Sequence, residues 1–511
     1  MRVVRVTAVI AIVVTGCIIR KPTIERVDPG TTQATESAVK AHLLDGSTVI
    51  YPTGFFINGR MVVKRGAARR YALDPSSPMD AGPIPLDSVV GMEAYGTRYN
   101  VPASVVATIG GVAVGTFAAA ALAVAIFGSC PTFYADSAGT ELLQGEGFSY
   151  AIAPLFEQRD VDRLRLIATK DGRIVLRVRN EALETHYINH LELLEIDRAA
   201  DEVALGDNTG HPVAVRNLSA PASVRDRAGR DVSQVVSALD ESVYSTAPGT
   251  IQNVTASDLD DFIELTIPAN NDADSVAIVL DMRNSLLNTV LLYDYMLGAQ
   301  GARSLDFLAK DLNRISGAVD LGKWYASRMG MRVSVLDHGR YRQVVRLGDS
   351  GPIAFHKVAI VVPAIPGDDG MLHVRLSFVA DDWRIDGISV AGSWRRPAFR
   401  FVSAARVSMP DASQNAAALA AITDADESYL QTTPGQALSV EFNVESNPSP
   451  RSWLLASQGY YTEWVRGAWI KSATGKQFVP NDATLADAVA SWHSKQVEME
   501  KQFYNSRIAA R

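Results

Sequence analysis

The stretch Asp171–Asp197 reads DGRIVLRVRNEALETHYINHLELLEID, and its alternation decides the fold class. Ile174, Leu176 and Val178 fall on one side of an extended chain, with Arg173, Val175, Arg177 and Arg179 on the other. Successive strand side chains point to opposite faces, so this is a half-buried β-strand. Asp171-Gly172 before it is a turn dipeptide, and YINHLELLEID reads as a second strand.

Working outward, runs of strand length recur: DFIELTIP from Asp261, SVAIVLDM from Ser275, MRVSVLD from Met331, IAFHKVAIVVP from Ile353, LHVRLSFVA from Leu372 and ALSVEFNVE from Ala437. Turn signals separate them at Pro363, Gly367-Asp368-Asp369-Gly370 and Pro434-Gly435. The expected fold is mainly β, with a β-rich domain over 129–284 and a β-sandwich-like domain over 317–480. A helical segment over 285–316, joined near Gly298 to Gly301, is expected to interrupt them. A C-terminal helix over 481–511 would place Leu485, Val489, Trp492, Val497 and Phe503 along one face.

The chain has 511 residues, room for several domains, and 21% charged and 8% aromatic residues suit a globular protein. Net charge is −7, with no basic run longer than two residues. Phosphate backbones need clustered Lys and Arg, so no nucleic-acid partner is expected.

Met1 to Cys17 reads MRVVRVTAVIAIVVTGC: two arginines, an apolar core, then small residues before a cysteine. Residues 1–16 read as a signal peptide. Val14-Thr15-Gly16-Cys17 resembles the lipobox of bacterial lipoproteins. That resemblance implies cleavage before Cys17, a diacylglycerol on its thiol and an acylated amine, so Cys17 is the expected lipidation site. The expected localisation is the bacterial cell envelope as a membrane-anchored lipoprotein. Ile18, where an acidic residue would signal retention, favours the outer membrane or periplasmic face. Cys130 is the only other cysteine, so lipidation of Cys17 leaves no internal disulfide. Residues 17–40 are polar around Asp28-Pro29-Gly30 and read as a tether.

Over 41–100 two hairpin dipeptides, Asp45-Gly46 and Asn58-Gly59, sit between β-branched and aromatic runs, predicting a small antiparallel β module. Residues 101–128, VPASVVATIGGVAVGTFAAAALAVAIFG, carry no charge and predict an apolar helix long enough to span a bilayer core. Its Ala and Gly insert weakly, and one crossing conflicts with both an outward lipid and the basic residues before it. A spanning helix and a helix packed within protein both stay open. The membrane is thus an expected partner through the lipid and, on the first reading, this helix.

The later chain resembles an uncharacterised family of secreted bacterial proteins. The residues that carry the likeness are Cys130-Pro131-Thr132-Phe133-Tyr134, Gly145-Glu146-Gly147-Phe148, and Asn180-Glu181 with Glu184-Thr185 and Tyr187. It continues through Lys323-Trp324-Tyr325, Asp382-Trp383-Arg384-Ile385-Asp386, Pro434-Gly435 and Gly459-Tyr460-Tyr461. The chain departs from the family pattern in GEGFSYAIA, where EPYGGAI is usual. The resemblance implies architecture and no activity.

Glu184, His186 and His190 are the best metal candidates, but His186 and His190 on one strand face lie about 13 Å apart, too far to share an ion. The acidic turn 367–370 with Asp382 matches no EF-hand spacing and reads as a hairpin. No G-x-S-x-G, H-E-x-x-H, Walker or Rossmann fingerprint occurs, so no catalytic residue, metal or cofactor is assigned. Trp453, Tyr460, Tyr461 and Trp464, with Trp469 nearby, are either a stacking platform for a sugar or peptide, or core packing. The expected function is a lipid-anchored binding or scaffolding module for a protein or glycan ligand, and not an enzyme. The rival is an envelope hydrolase acting on glycan or peptide. A deep pocket lined by two carboxylates or a Ser/His pair favours the rival; a sheet face with exposed aromatics favours binding.

Overall fold

The computed structural model describes residues 20–506 apart from 29, 46, 72–78, 100–129, 138, 167–170, 241, 270–272, 309–314, 427 and 445–449. The protein is mainly β. Ile174, Leu176 and Val178 are buried, as the alternation requires, and the strand Arg173–Arg179 pairs antiparallel with Ala437–Asn443. The next strand, Glu184–Asp197, pairs with Arg451–Glu463, with a bulge between Ile188 and His190. It is buried on both faces from Glu184 to Asn189, which puts polar side chains inside the molecule.

The body is nested. One antiparallel sheet runs in the order Thr140–Glu146, Thr132–Ser137, Arg173–Arg179, Ala437–Asn443, Phe399–Ser408, Glu184–Asp197, Arg451–Glu463, Gln158–Arg163. Between its two halves, 203–395 is inserted. Val203–Gly206, Pro212–Ser219, Trp383–Arg395, Ser275–Asn284 and His356–Pro363 close a barrel. Ser223–Asp226, Asp260–Pro268, Met371–Val379, Met331–Asp337 and Arg340–Leu347 form a further sheet. Ile278, Leu280 and Met282 of the barrel share one core with Ile263, Leu265, Val333 and Val374 of that sheet. The division into 129–284 and 317–480 is therefore corrected: each sheet draws strands from both segments. Alternation marks a strand but does not name its partner.

The helical segment begins with Leu287–Thr289 and continues as a π-helix over Val290–Leu297, a 3₁₀ stretch over Gly298–Arg303 and a last turn at Ser304–Asp306. Gly301 at φ 55° breaks it, near the predicted joint. A further helix, Ile315–Arg328, extends past the expected boundary at 316. The C-terminal helix Asp482–Ser506 buries Leu485, Val489 and Trp492, but Val497 is 83% exposed and so does not belong to the apolar stripe; the Phe503 side chain lies outside what is described.

Before the body lies a module of two sheets, one of six strands and one of four. Ala38–Leu43 pairs with Thr48–Tyr51, and Phe55–Asn58 with Met61–Lys64 across Asn58-Gly59, with Gly59 at φ 61°. Arg20–Val27 is a strand paired along its length with Val89–Tyr99, so most of the segment read as a tether is sheet. The module docks on the body: Lys40 pairs with Glu93 at 2.7 Å and lies 5.5 Å over the Trp464 ring, and Arg26 pairs with Asp306. A Cβ on Gly91 would meet Leu305 Cδ1 at 2.6 Å, which measures how closely the two approach.

The signal segment, Cys17 and the apolar run 101–128 lie outside the described residues. Among the described residues no helix is long and apolar enough to cross a membrane.

Candidate functional site

Where the outer sheet meets the inserted part, a cavity of about 680 Å³ opens. Small-molecule sites fall in the range of roughly 300–1,000 Å³ and favour such junctions. Ile152, Val161, Met282, Leu292, Leu321 and Leu347 give it an apolar wall. Asn208 and Thr209, Ala326 of the helix Ile315–Arg328, and Gly348 are exposed and form its mouth. Polar groups converge on it from four elements: Ser149 and Tyr150, Asp160, Asp349 and Ser350, and His356.

The first polar group is built on the strand Gln158–Arg163, where Asp160 and Asp162 lie two residues apart and so share a face. His356, at the start of a barrel strand, sits with Nδ1 2.6 Å from Asp162 Oδ1 and Nε2 3.8 Å from Glu146 Oε1. Burial disfavours its charge, but Asp162 and Glu146 outweigh that and hold the imidazole protonated well above its ordinary range. Glu146 Oε1 also accepts from the backbone N–H groups of Ile353 and Ala354, at 2.8 and 3.0 Å. Asp160 faces the cavity, with the amide of Gln158 donating to it at 3.2 Å. Burial, then the charge of Asp162, pushes it up to about 7, so it exchanges a proton near neutral pH.

The second group is a pair of aspartates. Asn284, ending the strand Ser275–Asn284, places its amide nitrogen 2.9 Å from Asp349 Oδ1 and 3.4 Å from Asp382 Oδ1. Its carbonyl accepts from the N–H groups of Ser350 and Gly351 and so fixes the loop that carries Asp349. Asn288 donates to Asp382 Oδ1 at 3.1 Å, and Tyr325 donates to Asn288. Burial raises both carboxyls, Asp382 well above the usual range because Asp349 lies beside it.

Backbone strain gathers here. Cys130, Phe148, Tyr150 and Asp381 all have positive φ, a conformation side chains with a Cβ rarely adopt. At Gly351, φ 98°, a Cβ would come within 2.4 Å of Glu146 Oε1 and of Ser149 Oγ. The polar groups are thus held where the chain approaches itself closely.

The aromatic residues proposed from sequence are elsewhere. Trp453, Tyr460, Tyr461 and Trp464 are all at least 95% buried, which corrects the platform reading in favour of core packing. Tyr460 stacks on Tyr187 at 4.5 Å, and Trp464 Nε1 donates to Thr185 Oγ1 at 2.9 Å. Glu184 and His186 do meet, Oε1 to Nε2 at 2.8 Å, but His190 turns to Glu192 instead. The turn 367–370 joins His356–Pro363 to Met371–Val379 with Gly370 at φ 74°, and Asp369 bonds Met371 N–H and His373.

Sequence reasoning missed Asp160, Asp349, His356 and Tyr150. Two faint signals were present: acids two apart in QRDVDR, and an acid and a histidine bracketing the apolar residues of DSGPIAFH. Asp382 stood in both the calcium reading and the family likeness, without its partner. No family model matches this chain, and no curated protein matches it.

Proposed function

We propose that this chain is a lipid-anchored protein of the bacterial envelope whose body binds a small organic ligand in the cavity. The observation that carries the binding reading is the cavity itself: a large apolar wall with a few polar groups aimed into it from four elements. The envelope assignment rests on Val14-Thr15-Gly16-Cys17, and Cys17→Ser is expected to abolish labelling by a fatty-acid analogue. Persistent labelling would remove the anchor from the account.

For the cavity, the test is Ala326→Trp. Ala326 is exposed at the mouth, so an indole there closes the entrance with little effect on the core. Stability should stay within about 0.5 kcal/mol, as for most surface changes. Native mass spectrometry of the wild-type protein should find a small molecule carried from the cell that the Trp variant lacks. Equal retention by both would place the ligand elsewhere.

Hydrolysis is the second reading, and the cavity meets the condition set for it from the sequence: two carboxyl groups, Asp160 and Asp349, line it, Asp160 titrates near neutral pH, and the aromatic residues of a binding face are buried. A hydrolase would release a cleaved molecule, whereas a receptor would release it intact.

A further inference from the structure

We propose that Asp349 and Asp382 make the cavity selective for an organic cation, an ammonium group on an apolar body; this rests on reading the cavity as a ligand site. Asp382 is 0% exposed, and Asp349 lines the cavity wall. Their hydrogen-bond partners are the neutral amides of Asn284 and Asn288, the N–H of Gly330, the Tyr325 hydroxyl and each other, and none of these is a cation. Among the described residues neither forms an ion pair with Lys or Arg. The nearby cations are engaged: Arg384 pairs with Asp381 and Glu500, and His356 with Asp162 and Glu146. Arg346, also on the wall, donates to the carbonyl of Met329 and attracts Asp349 from beyond ion-pair distance, so the pair has one distant cation and no direct one.

One further atom points to a missing partner. Among the described residues the Tyr150 hydroxyl is buried without a hydrogen bond, and Tyr150 lines the cavity. An unmet buried polar group lowers stability. A chain retains such a cost where a ligand relieves it.

An ammonium ion supplies what the pair lacks, a positive charge with several donors. Burial, then the neighbouring Asp349, favours a proton on the pair. Binding then exchanges that proton for the ligand: the O–H bond breaks, the proton passes to solvent, and the carboxylate accepts from the ammonium N–H. The other ionisable groups around the pair are Tyr150, Tyr325, Glu146, Asp381 and Arg346. Both tyrosines are held protonated by burial, so they do not compete for the released proton.

The test uses three probes with one apolar body: 4-phenylbutylammonium, 4-phenylbutanol and 4-phenylbutanoate. Calorimetry on the full chain at neutral pH, in buffers of different ionisation enthalpy, reads affinity and proton release together. The ammonium should bind at least about tenfold tighter than the alcohol, the difference of one charge-assisted bond, and the carboxylate more weakly than either. Proton release should accompany the ammonium alone. Asp349→Asn should bring ammonium and alcohol within about twofold of each other, and Asp382→Asn serves the same purpose if the first variant does not fold. Alcohol or carboxylate binding as tightly as ammonium would overturn the cation assignment and leave the cavity reading standing. So would a preference that survives both substitutions. If none of the probes binds, the cavity reading falls together with the assignment.

Discussion

Two acid pairs in the body, Glu184 with Glu463 and Asp349 with Asp382, are treated differently. Glu184 and Glu463, adjacent on paired strands, are closed in by the body. Arg466 reaches Glu463 Oε2 at 3.1 Å, and the Tyr293 hydroxyl donates to Glu463 Oε1. The N–H of Cys130 donates to Glu184 Oε1. The Arg466 guanidinium lies 4.6 Å over the Tyr293 ring and 5.5 Å over Trp469. Burial pushes His186 down to about 3, so it stays neutral, with Nε2 2.8 Å from Glu184 Oε1. This network ties the outer sheet to the helical segment and has its own cation. Asp349 and Asp382 have amides and a cavity instead. A buried acid pair with an internal counter-charge is a structural joint; one without, opening on a cavity, is available to a ligand.

Breaking the first pair should have the largest effect. Arg466→Met leaves Glu463 without its counter-charge, and removing one partner of a buried ion pair costs about 3–5 kcal/mol. Burial already raises both glutamates, so part of the loss is met by protonation and should be smaller at pH 5 than at pH 8. Urea denaturation at both values reads it. A loss below about 1 kcal/mol would mean the guanidinium is no joint, and the contrast between the pairs would dissolve.

Much of the fold was legible before the structure. RIVLRVR announces its buried face residue by residue, and the Asn58-Gly59 hairpin has the positive φ its dipeptide predicts. What could not be read was pairing over distance. Arg173–Arg179 finds Ala437–Asn443 across the whole inserted part, and period-two alternation says nothing about which strand is the partner. Arg20–Val27 went unread as a strand because its polar residues outweighed the alternation around Ile24, and its partner is a strand near residue 95. The candidate site was the least legible part. Asp349 and Asp382 come from separate loops and Asn284 from the end of a strand, and a lone aspartate beside a strand looks like turn chemistry. Trp453 and Tyr460 misled for the opposite reason: aromatic residues signal binding only when exposed, and burial here depends on strands far away in sequence.

The central claim is that Asp349 and Asp382 are held together at a cost to stability, and Asp382→Asn measures that cost most directly. In the unfolded chain an aspartate loses its proton near pH 4, whereas the folded protein keeps the Asp382 proton well above that. The stability from this group is therefore full below about pH 4 and is lost as pH rises toward the folded pKa, at up to about 1.4 kcal/mol per pH unit. Asparagine keeps the oxygen that accepts from Asn284 and Asn288 but has no proton to lose. The variant should match the wild-type protein at pH 4–5 and become progressively more stable than it up to pH 8, read as a growing difference in Tm. A variant less stable than wild type at pH 8 would show that Asp382 works as an ionised, satisfied part of the core, and would contradict the account.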